Sequence, residues 1–573
     1  NIAIAQGTTD EEKYYFWQLA LRQERFNVAI AKNYVYFLEQ KMRDRDALAI
    51  LRTTISLSDD WTLYLMEATL CPPHFSSIQE AGARFTSILT KLSSLLAQGQ
   101  PSGVVKGDPA AASAGALPLS WAYMGYGMRC LHELLSQVYL LGFPWLQHVE
   151  PHLLTISEWK TPFQKCPKKI RLGVIAEQAR NPSPRKLLQP ALSRLSQERF
   201  HIIFFQPSGL TETFDDVMRL RADLVVDLPH QDTLAWRSLV AAQKVDFLLF
   251  EALGTNDVSP WLLAHSRLAP VQAVYGHGHP ISSGLESIDY FISSVLFETD
   301  PLSSTTRNEN YHYRNARDYV ESIQHAGEVK ELDIKYHGDG IQDYTEQVVL
   351  FESLTTYFLE PAPPPSHQAE GLLEKYNLDF ETHHIFTCVQ HSKKFHPAFD
   401  SYLAAVLRKD PRIRVVMLEG ALKAHGKRWE RTIGELLMNQ LIFIPYLPHG
   451  DLLAIIGEST AALDTFPWGM GVTAFEAFAM CTPVITAPGM TAVLQLTLAQ
   501  YELLGLQGLI AHSEDEYADI AFALANNRTL EKKTKSHICE RKQNLFENEQ
   551  TIFEFDNFIT KTVCNLYGVH SIT

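Results

Sequence analysis

Two series of short β-rich runs, each alternating with helical stretches, and a proline-rich connector between them predict an α/β protein of two doubly wound domains. Ahead of them, residues 1–160 show apolar spacing of helical period and no strand alternation, which predicts an all-α region. At 573 residues the chain is too long for one core, and roughly three to four domains is the expectation.

The elements follow in order. Tyr15, Phe16, Leu19 and Ala20 fall at helical spacing, as do Ala47, Leu48, Leu51 and Ile55. Ser58-Asp-Asp60 and Cys71-Pro-Pro73 read as turns between helices. No clean tetratricopeptide pattern of about 34 residues is found, so a degenerate helical repeat or a plain α-domain is expected. Residues 99–118 are rich in Gly, Pro and Ala and read as a linker, and helix returns over about 120–140. The first α/β domain is placed at 165–350, with strands at Ile170–Ala176, His201–Phe205, Asp223–Asp227, Val245–Phe250 and Val271–Tyr275. Residues 303–341 are polar, without strand pattern, and read as a surface insertion. Pro361-Ala-Pro-Pro-Pro365 is a stiff connector. The second α/β domain is placed at 366–573, with strands at Ile385–Val389, Ile413–Leu418, Leu441–Ile444, Ala461–Asp464 and Pro483–Thr486 and helices at its end. Two such domains leave a cleft at the carboxyl ends of their strands, where ligands bind in open α/β sheets.

The formal net charge of −15 argues against nucleic acid as a partner. Seven cysteines, an odd and widely spaced set without Cys-x-x-Cys, exclude the usual structural zinc pattern and suit a reducing compartment. No apolar run reaches the roughly 18 residues of a membrane helix. Asn1-Ile-Ala-Ile-Ala5 lacks the features of a signal peptide, so a cytoplasmic location is expected.

Four loops at strand ends carry the candidate chemistry. Leu463 to Pro483 reads as a strand end, a turn broken by Gly469 and Gly471, and a helix opening at Thr473. Free amides at such an N-terminus suit a diphosphate, and Glu476, one turn in, suits a sugar hydroxyl. In Gln390-His-Ser-Lys-Lys-Phe-His-Pro397 a lysine is placed to neutralise a leaving diphosphate; the plainer reading is a solvated lysine pair. Tyr446-Leu-Pro-His449 is placed to wall a base or ribose pocket. Tyr275-Gly-His-Gly-His-Pro280 holds His277 and His279 at the cleft mouth, for general-base work or a hydrogen bond, or simply as loop histidines bonded to backbone. No third ligand makes a metal site of them, so no metal is expected. No Gly-x-Gly-x-x-Gly or Gly-Lys-Ser/Thr motif and no well-placed Asp-x-Asp occurs, which disfavours dehydrogenase, ATPase and metal-dependent transferase readings.

In this order the pieces resemble glycosyltransferase family 41, which holds protein O-GlcNAc transferases, Spindly-type O-fucosyltransferases and bacterial N-glucosyltransferases. The bacterial O-GlcNAc transferase-like branch is the most similar. The resemblance runs from about 165 to 550 through Arg267–Gln272, Gly278–Gly284, Ile288–Tyr290, Tyr344–Val349, Lys394–Pro397, Leu463–Thr465, Thr473, Glu476, Thr482-Pro483 and Pro488-Gly489. It reaches back more weakly to Cys71–Ser77. It implies a GT-B fold of two Rossmann-like lobes behind a helical domain. It also implies inverting, metal-independent transfer of a sugar from a nucleotide donor, UDP-GlcNAc first, to Ser or Thr of acceptor proteins, with no further cofactor. By position, Lys394 matches a diphosphate contact and Gln390 shares its loop. Leu447 and His449 match the base loop, Thr473 the phosphate-binding helix start, Glu476 the ribose acid, and His279 the histidine near the acceptor. Gly469, Gly471, Gly489 and His277 complete the expected substrate site. The chain departs from the pattern at Val472, Met490, Gln495 and the loop 178–184, each time losing a polar group. N-glucosyl or O-fucosyl transfer, or a catalytically degenerate protein-binding member, stand as alternatives.

Overall fold

The computed structural model describes residues 9–566 apart from 25–26, 42, 72–73, 102–104, 106, 113–117, 155–165, 177–181, 209–216, 231, 255–257, 299–343, 366–370, 373, 380 and 488–495. The insertion at 303–341 and Gly489, Met490 and Gln495 therefore lie outside the described residues.

The chain opens with helices Asp10–Gln23, Val28–Gln40, Asp44–Ile55, Trp61–Thr69 and Ile78–Gln98. Their starts follow capping chemistry: Thr9 and Glu12 form a capping box, and Asp60 and Ser77 accept first-turn amides. The early helices share a core of Tyr34, Val35, Leu38, Leu51, Leu63 and Met66. Helices Trp61–Thr69, Ile78–Gln98 and Arg129–Gly142 instead add Leu65, Ile88, Leu92, Leu131 and Val138 to the core of the first sheet.

That sheet has seven parallel strands: β1 (Ile170–Ile175), β2 (Phe200–Pro207), β3 (Leu224–Leu228), β4 (Phe247–Phe250), β5 (Val271–Tyr275), β6 (Tyr290–Ser294) and β7 (Gln347–Phe351), in the order β3-β2-β1-β4-β5-β6-β7. The second has five: β8 (His384–Cys388), β9 (Ile413–Leu418), β10 (Leu441–Ile444), β11 (Ala461–Leu463) and β12 (Val484–Ile485), in the order β10-β9-β8-β11-β12. Both are all-parallel with near-continuous buried runs at their centres, as sheets covered on both faces require. In each the strand order reverses beside the first strand, between β1 and β4 and between β8 and β11, and the crevice opens there. The arrangement is GT-B. Strands β6 and β7 were not foreseen, because residues 295–346 separate them and hide the usual strand–helix–strand spacing.

The last helix, Glu549–Leu566, crosses back to the first sheet, where Phe555, Ile559 and Val563 join its core. Four of the seven cysteines are bonded in pairs, Cys166–Cys564 and Cys481–Cys539. Disulfides persist where the surroundings are oxidising, so the cysteine pattern does not support the expected reducing compartment. No helix among the described residues is long and apolar enough to cross a membrane.

Candidate functional site

The expected site residues leave the carboxyl ends of the strands. Gln390 and Lys394 follow β8, and Leu447 and His449 follow β10. The glycine loop and Glu476 follow β11, and His277 and His279 follow β5.

Asp464 sets the glycine loop. Its carboxylate is buried at the end of β11 and accepts from the Met470 amide at 2.5 Å, the Thr486 hydroxyl at 2.9 Å and the Thr497 hydroxyl at 2.6 Å. Burial pushes its pKa up, and those bonds together with the Lys394 charge offset part of the shift. The folded loop presents the Gly469 carbonyl to Lys394, whose Nζ donates to that oxygen and to Gln390 Oε1, both at 2.9 Å. Desolvation lowers the Lys394 pKa to about 8, against the pull of Asp464. Gln390 is 2 % exposed, and its Nε2 is buried without a hydrogen-bond partner among the described residues.

The helix after the loop is Val472–Ala479, opening one residue before the expected Thr473. Its N-cap is Gly471, so no side chain caps the first-turn amides. Thr473 is partly exposed in that turn. Glu476 lies one turn in, 4 % exposed, and its Oε1 accepts from His449 Nε2 at 2.7 Å and from Lys186 Nζ at 2.8 Å. Leu447 packs partly buried against the second-lobe core.

Across the cleft, the glycines between the histidines are required by close packing. A Cβ on Gly278 would sit 2.1 Å from the Glu251 carbonyl, and one on Gly276 2.5 Å from that of Ile292. His277 packs parallel to Tyr275 and edge-on to Phe297, and burial lowers its pKa to about 4. His279 is fully buried, and desolvation, then the neighbouring His132, push its pKa well down, so the ring is neutral. The Leu253 amide donates to its Nδ1 at 3.3 Å, which puts the ring proton on Nε2. That Nε2–H is buried without a partner among the described residues. His279 is thus set as a hydrogen-bond donor rather than as a base through Nε2.

Three of these residues escaped the sequence reading. Asp464 closes the strand run Ala461–Asp464, and an acid at a strand end six residues before a buried loop amide is a recognisable anchor. Lys186 lies on the helix Pro182–Leu187 after β1, and only its position at a carboxyl end pointed to it. Tyr123, from the helical region, stacks on Trp468 of the glycine loop, with ring centroids 4.4 Å apart.

The glycosyl transferase family 41 model matches residues 458–556, which include the glycine loop and its helix. That stretch of the chain is similar to glycosyltransferase family 41. A relative from Oryza sativa subsp. japonica, described as a probable UDP-N-acetylglucosamine–peptide N-acetylglucosaminyltransferase SPINDLY, is 22% identical over 383 residues, 65% of this chain and 36% of the relative. A Solanum lycopersicum protein with the same description is 31% identical over 327 residues, 56% of this chain and 30% of that protein. The chain thus spans about a third of the length of these curated relatives. Its fold matches that of a mutant O-GlcNAc transferase from Thermobaculum terrenum with a TM-score of 0.62 at 16% identity, over 98% of this chain and 95% of the other.

Proposed function

We propose that this chain transfers a sugar from a nucleoside diphosphate to a protein side chain, with UDP-GlcNAc as donor and a Ser or Thr hydroxyl as acceptor. The observation that carries the reading is the cluster at the second lobe. A lysine, a buried amide donor on Gln390 and an uncapped helix N-terminus lie around one glycine loop, as recognition of a diphosphate requires. The relatives' descriptions, which name UDP-N-acetylglucosamine and peptide, support the choice of donor and acceptor.

In this reading the acceptor hydroxyl attacks the anomeric carbon from the face opposite the diphosphate. The bond from that carbon to the diphosphate oxygen breaks, and UDP leaves with the bonding pair. Lys394 and the amides of Gly471 to Thr473 take up the charge that develops on the leaving oxygen. Glu476 accepts from a ribose hydroxyl, and the loop bearing Leu447 and His449 borders the base. His279 donates from Nε2 to an oxygen on the acceptor side and orients it; the hydroxyl proton goes to another base. Holding the two substrates in line supplies much of the remaining acceleration.

Hydrolysis of UDP-GlcNAc, UDP-glucose and GDP-fucose by the purified chain, with UDP binding measured alongside, tests the proposal. UDP-GlcNAc is expected to be cleaved fastest. Preferred cleavage of another donor would redirect the specificity, and neither binding nor cleavage would remove the enzyme reading.

A further inference from the structure

Glu476 is reached from both sides of the cleft. His449 belongs to its own lobe, whereas Lys186 stands on the helix after β1 of the other lobe, 290 residues away in sequence. Both donate to Oε1, and among the described residues Oε2 accepts no hydrogen bond. The carboxylate side chain is 6% exposed and that of Lys186 35%. An ammonium that reaches across to a largely buried carboxylate, and leaves that carboxylate's second oxygen free, does not compete with a hydroxyl ligand for it.

We propose that Lys186 is the first lobe's contribution to the nucleotide site, a positioning residue that clamps Glu476 across the cleft. Engagement of Oε1 fixes the carboxylate plane and presents Oε2 to the ribose of a nucleoside diphosphate. The same ion pair adds to the packing of Leu187 and Phe297 on the second-lobe core in holding the lobes together, so closure and nucleotide binding reinforce each other. The inference rests on the donor site proposed above, but the clamp itself exists without a ligand and is measured separately.

Two readouts test it. In the first, a fluorophore pair, one on each lobe away from the cleft, reports the inter-lobe distance of the nucleotide-free protein. Lys186→Met is expected to lengthen it and Lys186→Arg to leave it as in the wild type; an unchanged distance in Lys186→Met overturns the clamp whether or not UDP binds. In the second, UDP is titrated into the wild type, Lys186→Met, Lys186→Arg, Glu476→Gln and the Met/Gln double variant. Lys186→Met is expected to weaken UDP about tenfold in the wild-type background. It should do so by about twofold or less in Glu476→Gln, because Lys186 acts through that carboxylate. Lys186→Arg should restore most of the affinity. Additive losses would make Lys186 a direct phosphate contact, and tighter binding by Lys186→Met would make the pair a lock that nucleotide must break; either overturns the proposal. A wild type that does not bind UDP defeats the donor site and leaves the distance measurement to decide the clamp.

Discussion

Two ion pairs stand where separate parts of this molecule meet, one within the second lobe beneath the helical region and one across the cleft, and they are built differently. Arg428 and Asp400 are 3% and 4% exposed, and nearly every polar atom of the pair is in use. Arg428 also donates to the Phe75 and Phe395 carbonyls, and Asp400 also accepts from Trp429 Nε1 and the Thr432 hydroxyl. Lys186 and Glu476 meet across the cleft with one partner part-exposed and one carboxylate oxygen unengaged. A saturated buried pair has nothing left to offer a ligand and fixes architecture, here by docking His74 and Phe75 onto the second lobe. An unsaturated pair beside a glycine loop retains bonding capacity. The same division separates Asp464, whose oxygens are taken up by the Met470 amide of the loop and the Thr486 and Thr497 hydroxyls, from Gln390 and His279, which among the described residues each keep a buried donor without a partner.

The sharpest way to break this comparison is to remove Arg428. Arg428→Met leaves Asp400 buried without its cation, and a loss of about 3–5 kcal/mol in unfolding free energy is expected from denaturant titration. UDP affinity of the folded fraction should be unchanged. Lys394→Ala should invert that pattern, lowering donor turnover by about 100- to 1,000-fold, a loss typical of removing a group that stabilises transition-state charge. Its thermal midpoint should move far less than that of Arg428→Met. Tyr123→Ala tests the contact between the helical region and the glycine loop. An aromatic pair is worth about 0.5–1.5 kcal/mol beyond its area, and the expected result is a modest rise in KM for the donor with kcat nearly kept.

The smallest effect is a pH dependence. Burial holds the free Lys394 ammonium at about 8, and a bound diphosphate raises it. Affinity that depends on the charged lysine is therefore complete well below pH 8 and falls as pH rises through it. UDP binding should weaken about fourfold between pH 7 and 8.5, as a pKa of about 8 dictates. Lys394→Arg, charged throughout this range, should flatten the profile.

Much of the fold was legible because parallel strands buried on both faces read as apolar runs, as at Ile170-Arg-Leu-Gly-Val-Ile175 and Ile413-Arg-Val-Val-Met-Leu418. Strand Gln347–Phe351 was not legible, because β-strand spacing fails when the crossover exceeds its ordinary length. The disulfides were hidden for a similar reason: Cys166 and Cys564 lie 398 residues apart, and only the return of the last helix to the first sheet joins them. In the candidate site, motifs local in sequence could be read, such as the loop and helix from Leu463 to Pro483. Lys186 could not, because its partner lies on the other lobe and its place after a strand end is the sole local signal. His279 was visible as a histidine between glycines, but its tautomer depends on an amide 26 residues away.

The central claim, that the glycine loop with Lys394 forms a nucleoside diphosphate site, is tested most directly by calorimetric titration of UDP into the wild type and Lys394→Ala at pH 7. The account predicts saturable one-site binding to the wild type and binding at least about tenfold weaker to the variant. Absence of binding to the wild type, or equal affinity in Lys394→Ala, would contradict it.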